Sequence, residues 1–157
     1  MKYLLVGLLF AFPILVVAGA IDDKTVGVSS EDAEMNAAIA HAQATLDDFL
    51  KVVHSPPAGA TGFKLKVHLT DDHGSEHLWI TPFAQISKGF VGIVADDPEV
   101  VTNVSAGQRI NFSRSEISDW GYTLNGKQVG SFTVCVLFKH MPASDVQRYR
   151  HDYGFEC

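Results

Sequence analysis

The apolar residues of this chain change their repeat at one proline pair, Pro56-Pro57, and that change limits the folds open to it. Ahead of the pair, Met35, Ile39, Ala42, Leu46, Phe49, Leu50 and Val53 recur at steps of three and four, which is one apolar stripe on a helix. Asn36, Gln43, Asp47 and Lys51 fall elsewhere on the wheel. Ser29 or Ser30 is the expected N-cap, with Glu31, Asp32 and Glu34 placed against the positive end of the helix dipole. Beyond the prolines, Phe63, Leu65, Val67 and Leu69 alternate with Lys64, Lys66, His68 and Thr70, the period of a half-buried strand.

The alternation then predicts a succession of short strands. Asp71-Asp72-His73-Gly74 is a turn, and Glu76 to Gln85 returns around Leu78, Trp79 and Ile80. Gly89 to Ala95 and Gln108 to Phe112 follow, with Glu99 to Ala106 irregular or a single helical turn between them. Ser113 to Trp120 reads as a turn or short helix. Tyr122 to Leu124 and Val129 to Leu137 flank Asn125-Gly126, whose residue types favour a type I′ hairpin. Pro142, Ala143 and Ser144 open a short C-terminal helix through about His151. One helix, then strands, then a small helix is an α+β arrangement: a long N-terminal helix packed on a bent antiparallel sheet of five or six strands.

Several of these segments together resemble the YegJ-like bacterial family, a domain of unknown function. The resemblance is carried by Met35-Asn36-Ala37-Ala38-Ile39 with Phe49, by Phe63-Lys64-Leu65-Lys66-Val67, and by Glu76-His77-Leu78-Trp79-Ile80. It continues through Gly89-Phe90-Val91-Gly92, Asp97-Pro98, Gly107 ahead of Ile110, Ile117-Ser118-Asp119-Trp120 and Val129-Gly130-Ser131. Gly121 departs from the methionine usual after Asp-Trp. The similarity spans about Glu34 to Leu137 and implies a small α+β domain with no established reaction.

The first twenty residues have the form of an export signal. Lys2 is the positive start, Tyr3 to Val17 the apolar core, and Ala18-Gly19-Ala20 a small-residue cleavage site. Residues 21–157 are then expected to form a single domain in the periplasm or outside the cell, with Asp22 to Val28 a polar leader. Pro13 breaks an apolar run already short of the roughly 20 residues of a spanning helix, so no membrane span is expected in the mature chain. In that oxidising compartment Cys135 and Cys157, the chain's two cysteines, have one possible pairing. A bridged pair and a buried Cys135 beside a free Cys157 are the two alternatives, with the bridge preferred.

The formal net charge is −6, and loss of Lys2 makes it one unit more negative. Nucleic acid and anionic membranes reward clustered Lys and Arg, so neither is an expected partner. A protein partner in the cell envelope is compatible with the charge, and the oligomeric state is left open.

Two polar groupings carry candidate chemistry. His68, His73 and His77 surround one turn, but zinc needs three or four convergent ligands and this stretch has neither a HExxH spacing nor a local cysteine, so no metal is expected. Register decides their geometry: a turn centred on Asp72-His73 places His68 and His77 on one face. The second grouping is Glu76-His77-x-Trp79 with Asp119-Trp120. A carboxylate orienting His77 would support general acid–base catalysis, which makes His77, Asp119 and Glu76 the catalytic candidates. The architectural alternative has Asp119 capping backbone N–H groups while Trp79 and Trp120 fill the layer between helix and sheet; the two tryptophans are also the binding candidates. No Gly-x-Ser-x-Gly nucleophile or phosphate-cradling glycine pattern is present, and no cofactor is implied. Two functions follow as expectations: an exported small binding domain, an immunity-type inhibitor being one form, or a small envelope hydrolase using His77 with Asp119 or Glu76.

Overall fold

The apolar stripe ahead of the prolines does form a helix, α1 (Ala33–His54), in the computed structural model, which describes residues 32–157. Asp32 is its N-cap: the carboxylate accepts the N–H groups of Glu34 at 2.9 Å and Met35 at 2.8 Å, donors that a helix start otherwise leaves unpaired. Ser29 and Ser30, and the export signal with them, lie outside the described residues. Ala42, Leu46, Phe49 and Leu50 are the buried residues of α1.

Six strands follow: β1 (Ala60–Asp71), β2 (Gly74–Ile86), β3 (Gly89–Val94), β4 (Arg109–Phe112), β5 (Ile117–Leu124) and β6 (Lys127–Gly130). They form one antiparallel sheet in the order β4-β3-β2-β1-β5-β6. Two short helices complete the order, α2 (Phe132–Leu137) and α3 (Ala143–Tyr153). The expected α+β class is the observed one.

α1 lies on one sheet face, across β5 above all. Leu65 and Val67 of β1, Leu78 and Ile80 of β2, and Trp120 and Tyr122 of β5 meet it there. The Phe49 ring stacks on Trp120 with centroids 4.9 Å apart, and Phe63 stacks on Tyr122 at 5.1 Å. Burial of this face is the main source of stability, at roughly 25 cal/mol per Å² of apolar surface.

Three expectations need correction. The stretch Ser113 to Trp120 is a single 3-10 turn (Arg114–Glu116) followed directly by β5, which begins at Ile117 rather than Tyr122. A bulge hid the strand: Lys66 pairs with Asp119 but Val67 pairs with Ile117, so Ser118 is an extra residue and the alternation is lost. The expected strand Val129 to Leu137 stops at Gly130, and Phe132 to Leu137 is helix α2. Gly130 and Ser131 take consecutive left-handed conformations, φ 75° and 55°, which turn the chain out of the sheet. Cys135 therefore stands on a helix, not within a strand. The irregular stretch after β3, by contrast, is irregular as expected.

The bridged alternative holds for the cysteines: Cys135 of α2 is bonded to Cys157. The C-terminal residues run back along β6, where Gln128 N–H donates to the Gly154 carbonyl at 2.9 Å, and Phe155 is buried against Phe138 and Tyr149. This return covers part of an edge strand that would otherwise offer unpaired backbone groups. Asn125 and Gly126, φ 51° and 82°, make the expected type I′ turn. Among the described residues no helix is long and apolar enough to cross a membrane.

Candidate functional site

The sequence candidates divide between two faces of the sheet. Because side chains alternate along a strand, Glu76 follows Leu78 to the core side while His77 and Trp79 point the other way. Glu76 is 7 % exposed and turns both oxygens to main-chain donors: Glu99 N–H at 3.1 Å, Val100 N–H at 3.0 Å and Val101 N–H at 3.4 Å. Two further carboxylates fasten the same β3–β4 connection. Asp96 accepts Trp79 N–H at 2.6 Å, and Asp71 accepts Thr102 N–H at 2.6 Å, Thr102 Oγ1–H at 3.1 Å and Asn103 N–H at 3.2 Å. Those donors, that of Thr102 first, hold the Asp71 carboxyl down to about 2.

Asp119 is fully buried. Its oxygens accept Trp120 N–H at 2.8 Å, Phe132 N–H at 3.2 Å, Thr133 N–H at 2.8 Å and Thr133 Oγ1–H at 2.7 Å. Asp119 thus supplies from β5 the cap that Ser131, with no side-chain capping bond, does not give α2. Burial raises its pKa, and the Thr133 hydrogen bonds and the charge of Lys66 oppose that rise. The architectural alternative for Asp119 is the arrangement observed.

Trp120 also belongs to the core. Its indole N–H reaches the Ala42 carbonyl at 3.0 Å and Thr45 Oγ1 at 3.2 Å, locking α1 to β5. Trp79 is only partly buried and lies on the opposite face. There Lys64 Nζ stands 4.4 Å and Lys66 Nζ 5.0 Å from its ring centroid, both within cation–π reach. Lys66 also donates to Thr133 Oγ1 at 3.2 Å, so its ammonium is fixed from the α2 side.

His77 sits beside this group. The turn centres on Asp72-His73, so His68 pairs with His77 across β1 and β2, and their rings stack at 4.5 Å. His77 Nδ1 lies 2.8 Å from Ser118 Oγ, which itself donates to the Lys66 carbonyl at 3.3 Å. Loss of hydration on this crowded surface, reinforced by His68 and Lys66, lowers His77 to about 4, so its imidazole is neutral at pH 7. His77 is thus brought to Ser118, while the carboxylates of Glu76 and Asp119 are engaged with main-chain donors elsewhere. Among the described residues, no group of three or more His, Cys, Asp or Glu side chains could hold a metal ion.

Sequence reasoning singled out Trp79 and His77, and joined His68 to His77 through a turn centred on Asp72-His73, which is the register observed; it did not join Lys64, Lys66 or Ser118 to them. Lys64 and Lys66 were legible as lying on the same face of β1 as His68, since all three alternate with Leu65 and Val67. Ser118 stood in the sequence only as part of the Ile117-Ser118-Asp119-Trp120 segment, with no link to His77, because that link depends on the bulge.

A small α+β domain with its long helix over one face of an antiparallel sheet, and lysine, histidine and tryptophan side chains on the other, is what these features define. The chain belongs to the family described as "Uncharacterized protein conserved in bacteria (DUF2314)", whose pattern matches residues 32–157. It is 32 % identical to uncharacterized protein YegJ of Escherichia coli (strain K12) over 130 residues, 83 % of this chain and 84 % of that one. It is also 30 % identical over 77 residues to a putative ankyrin repeat protein of Neisseria meningitidis serogroup B, covering 49 % of this chain and 30 % of the relative. No solved structure matches.

Proposed function

We propose that this protein is an exported, periplasmic binding domain that engages a protein partner in the cell envelope, an immunity-type inhibitor being one form of that role. The observation that carries the reading is the division of labour among its polar residues. Glu76 and Asp119, the carboxylates that could have oriented a catalytic base, each close on three main-chain N–H groups. The face bearing Trp79, Lys64 and the histidine pair is left as the chemically distinctive surface. Export is supported by the Lys2 to Ala20 pattern.

The test joins both halves of the proposal. Protein expressed with its own leader should be recovered from the periplasm as a chain beginning at Ile21, and should retain a stoichiometric protein on affinity capture. Full-length chain in the cytosol, or the absence of any stoichiometric partner, contradicts it.

One contact favours a second reading, a hydrolase in which His77 acts on Ser118 in place of Asp119 or Glu76: the 2.8 Å approach of Nδ1 to Oγ. Ser118 is only 3 % exposed. Labelling of Ser118 by a fluorophosphonate, abolished in His77→Ala, would establish this reading, and an unlabelled serine in folded protein would dismiss it.

A further inference from the structure

We infer that the Cys135–Cys157 bridge is a redox latch: its reduction by a dithiol, in the folded protein, frees residues 138–157 and bares the β6 edge of the sheet. The latch acts within one chain and does not depend on the binding reading above.

The segment closed by the bridge is nearly a structure of its own. It runs from the end of α2 through α3 to the return along β6. Its rings pack on one another: Phe138 meets Tyr149 at 5.7 Å and Phe155 at 5.5 Å, and Tyr149 meets Tyr153 at 5.4 Å and Phe155 at 5.8 Å. Phe155 is the one buried residue from Phe138 to Cys157, and no residue of α3 is buried, whereas α1 buries four. Between α3 and the sheet lies a depression of about 290 Å³, with Asp152 and Tyr153 on one side and Lys64, Thr123, Gly126 and Gln128 on the other. That seam is open rather than interlocked, and elements with few buried contacts are the ones that open locally.

The fastening of this segment to the domain is correspondingly slight. Gln128 N–H donates to the Gly154 carbonyl at 2.9 Å, Lys127 pairs with Glu156 at 2.8 Å, and Lys139 pairs with Glu34 at 2.5 Å. Both ion pairs are exposed, where such pairs contribute little. The covalent bridge is the strongest tie.

Its two sulfurs differ in anchorage and access. Cys135 is half-buried on α2, which buries Val134 and Val136 and is capped by Asp119, whereas Cys157 is exposed. A donor thiolate therefore attacks Cys157 Sγ. An S–S bond forms between donor and Cys157, the Cys135–Cys157 bond breaks, and its electron pair leaves on Cys135, which takes up a proton. The donor's second thiolate then attacks the donor sulfur of this mixed disulfide and expels Cys157, which is protonated in turn. The donor departs as a disulfide, and the protein has gained two electrons and two protons. Without the cross-link the open form regains the chain entropy of the closure, which raises its population by up to about 100-fold. Gln128 then offers its N–H on an edge strand, the kind of surface at which an extended segment of another chain adds.

The test uses the bridged protein in native buffer with dithiothreitol, followed by thiol alkylation read by mass and by amide hydrogen exchange. Both cysteines should become alkylated at least tenfold faster than the domain unfolds in that buffer. On reduction, exchange at Gln128 and across Ala143–Tyr153 should quicken at least tenfold more than at Leu65 and Trp120. Cys157→Ser should show the same pattern without reductant, and oxidised glutathione should return the reduced parent to the slow one.

A bridge that yields only when the domain unfolds would overturn the latch. So would an equal rise at every amide, or a reduced protein whose Gln128 and α3 exchange as in the bridged form. Cys157→Ser exchanging like the bridged parent, or reoxidation that leaves Gln128 fast, would overturn it as well.

Discussion

The two faces of the sheet are written in the same strands and obey opposite rules. Beneath α1, Leu65, Val67, Ile80 and Ile117 are almost entirely removed from water and meet aromatic rings from helix and strand. One residue along each strand, the other face presents Lys64, His68, His77 and Trp79. The first face holds the molecule together through apolar burial; the second concentrates polar groups, with Lys66 and Asp119 buried against Thr133 of α2 and the ring of Trp79 left partly exposed. Its half-buried and exposed residues, Lys64, His68, His77 and Trp79, are consequently the ones to change when function is to be altered without unfolding the protein.

The contrast can be broken from the covered side first. Phe49→Ala should destabilise by about 3–5 kcal/mol and Leu46→Ala by about 2–5 kcal/mol, as buried large-to-small changes do. Denaturant unfolding measures both, and losses under 1 kcal/mol would mean that α1 does not rest on the sheet. Cys135→Ser should cost about 3 kcal/mol on the chain-entropy account of a 22-residue closure. Mass analysis of the unreduced parent should show two hydrogens fewer than the dithiol, and free thiols would remove the constraint.

Asp119→Ala should come next, at about 2–3 kcal/mol, since it strands buried donors of Phe132 and Thr133. Its loss should also speed hydrogen exchange in α2 before the rest of the domain; uniform protection would detach Asp119 from helix capping.

Smaller effects test the outer face. His77 titrates near 4 in the fold against about 6.5 unfolded. Between those values the unfolded chain binds the extra proton, so stability should fall as pH drops from 6.5 towards 4, and be unaffected by this group above that window. Ring-proton NMR should place the His77 midpoint near 4; a midpoint at 6 or above contradicts the crowding described for it. Lys64→Ala should change stability by no more than about 0.5 kcal/mol, and a larger loss would make the outer face structural as well.

Legibility in the sequence followed the same division. The α1 stripe, the β1 alternation, the Asn125-Gly126 turn and the single cysteine pairing were readable because each depends on neighbours in the chain. β5 was missed where the Ser118 bulge cancels a period of two. α2 was missed because a six-residue, mostly apolar run serves a strand or a helix equally well, and the capping carboxylate sits thirteen residues upstream, on another element. The cationic surround of Trp79 was present in the β1 pattern but needed register to join it to β2. The roles of Glu76 and Asp119 depended on which loop or helix comes to them, and local spacing does not encode that.

The chain has two tryptophans, one on each face, and they permit the most direct test of the whole account. Hydroxyl-radical footprinting of the native protein, read by mass spectrometry residue by residue, should oxidise Trp79 several-fold faster than Trp120. Equal rates, or faster oxidation of Trp120, would contradict a sheet covered by α1 on one side and offered to a partner on the other.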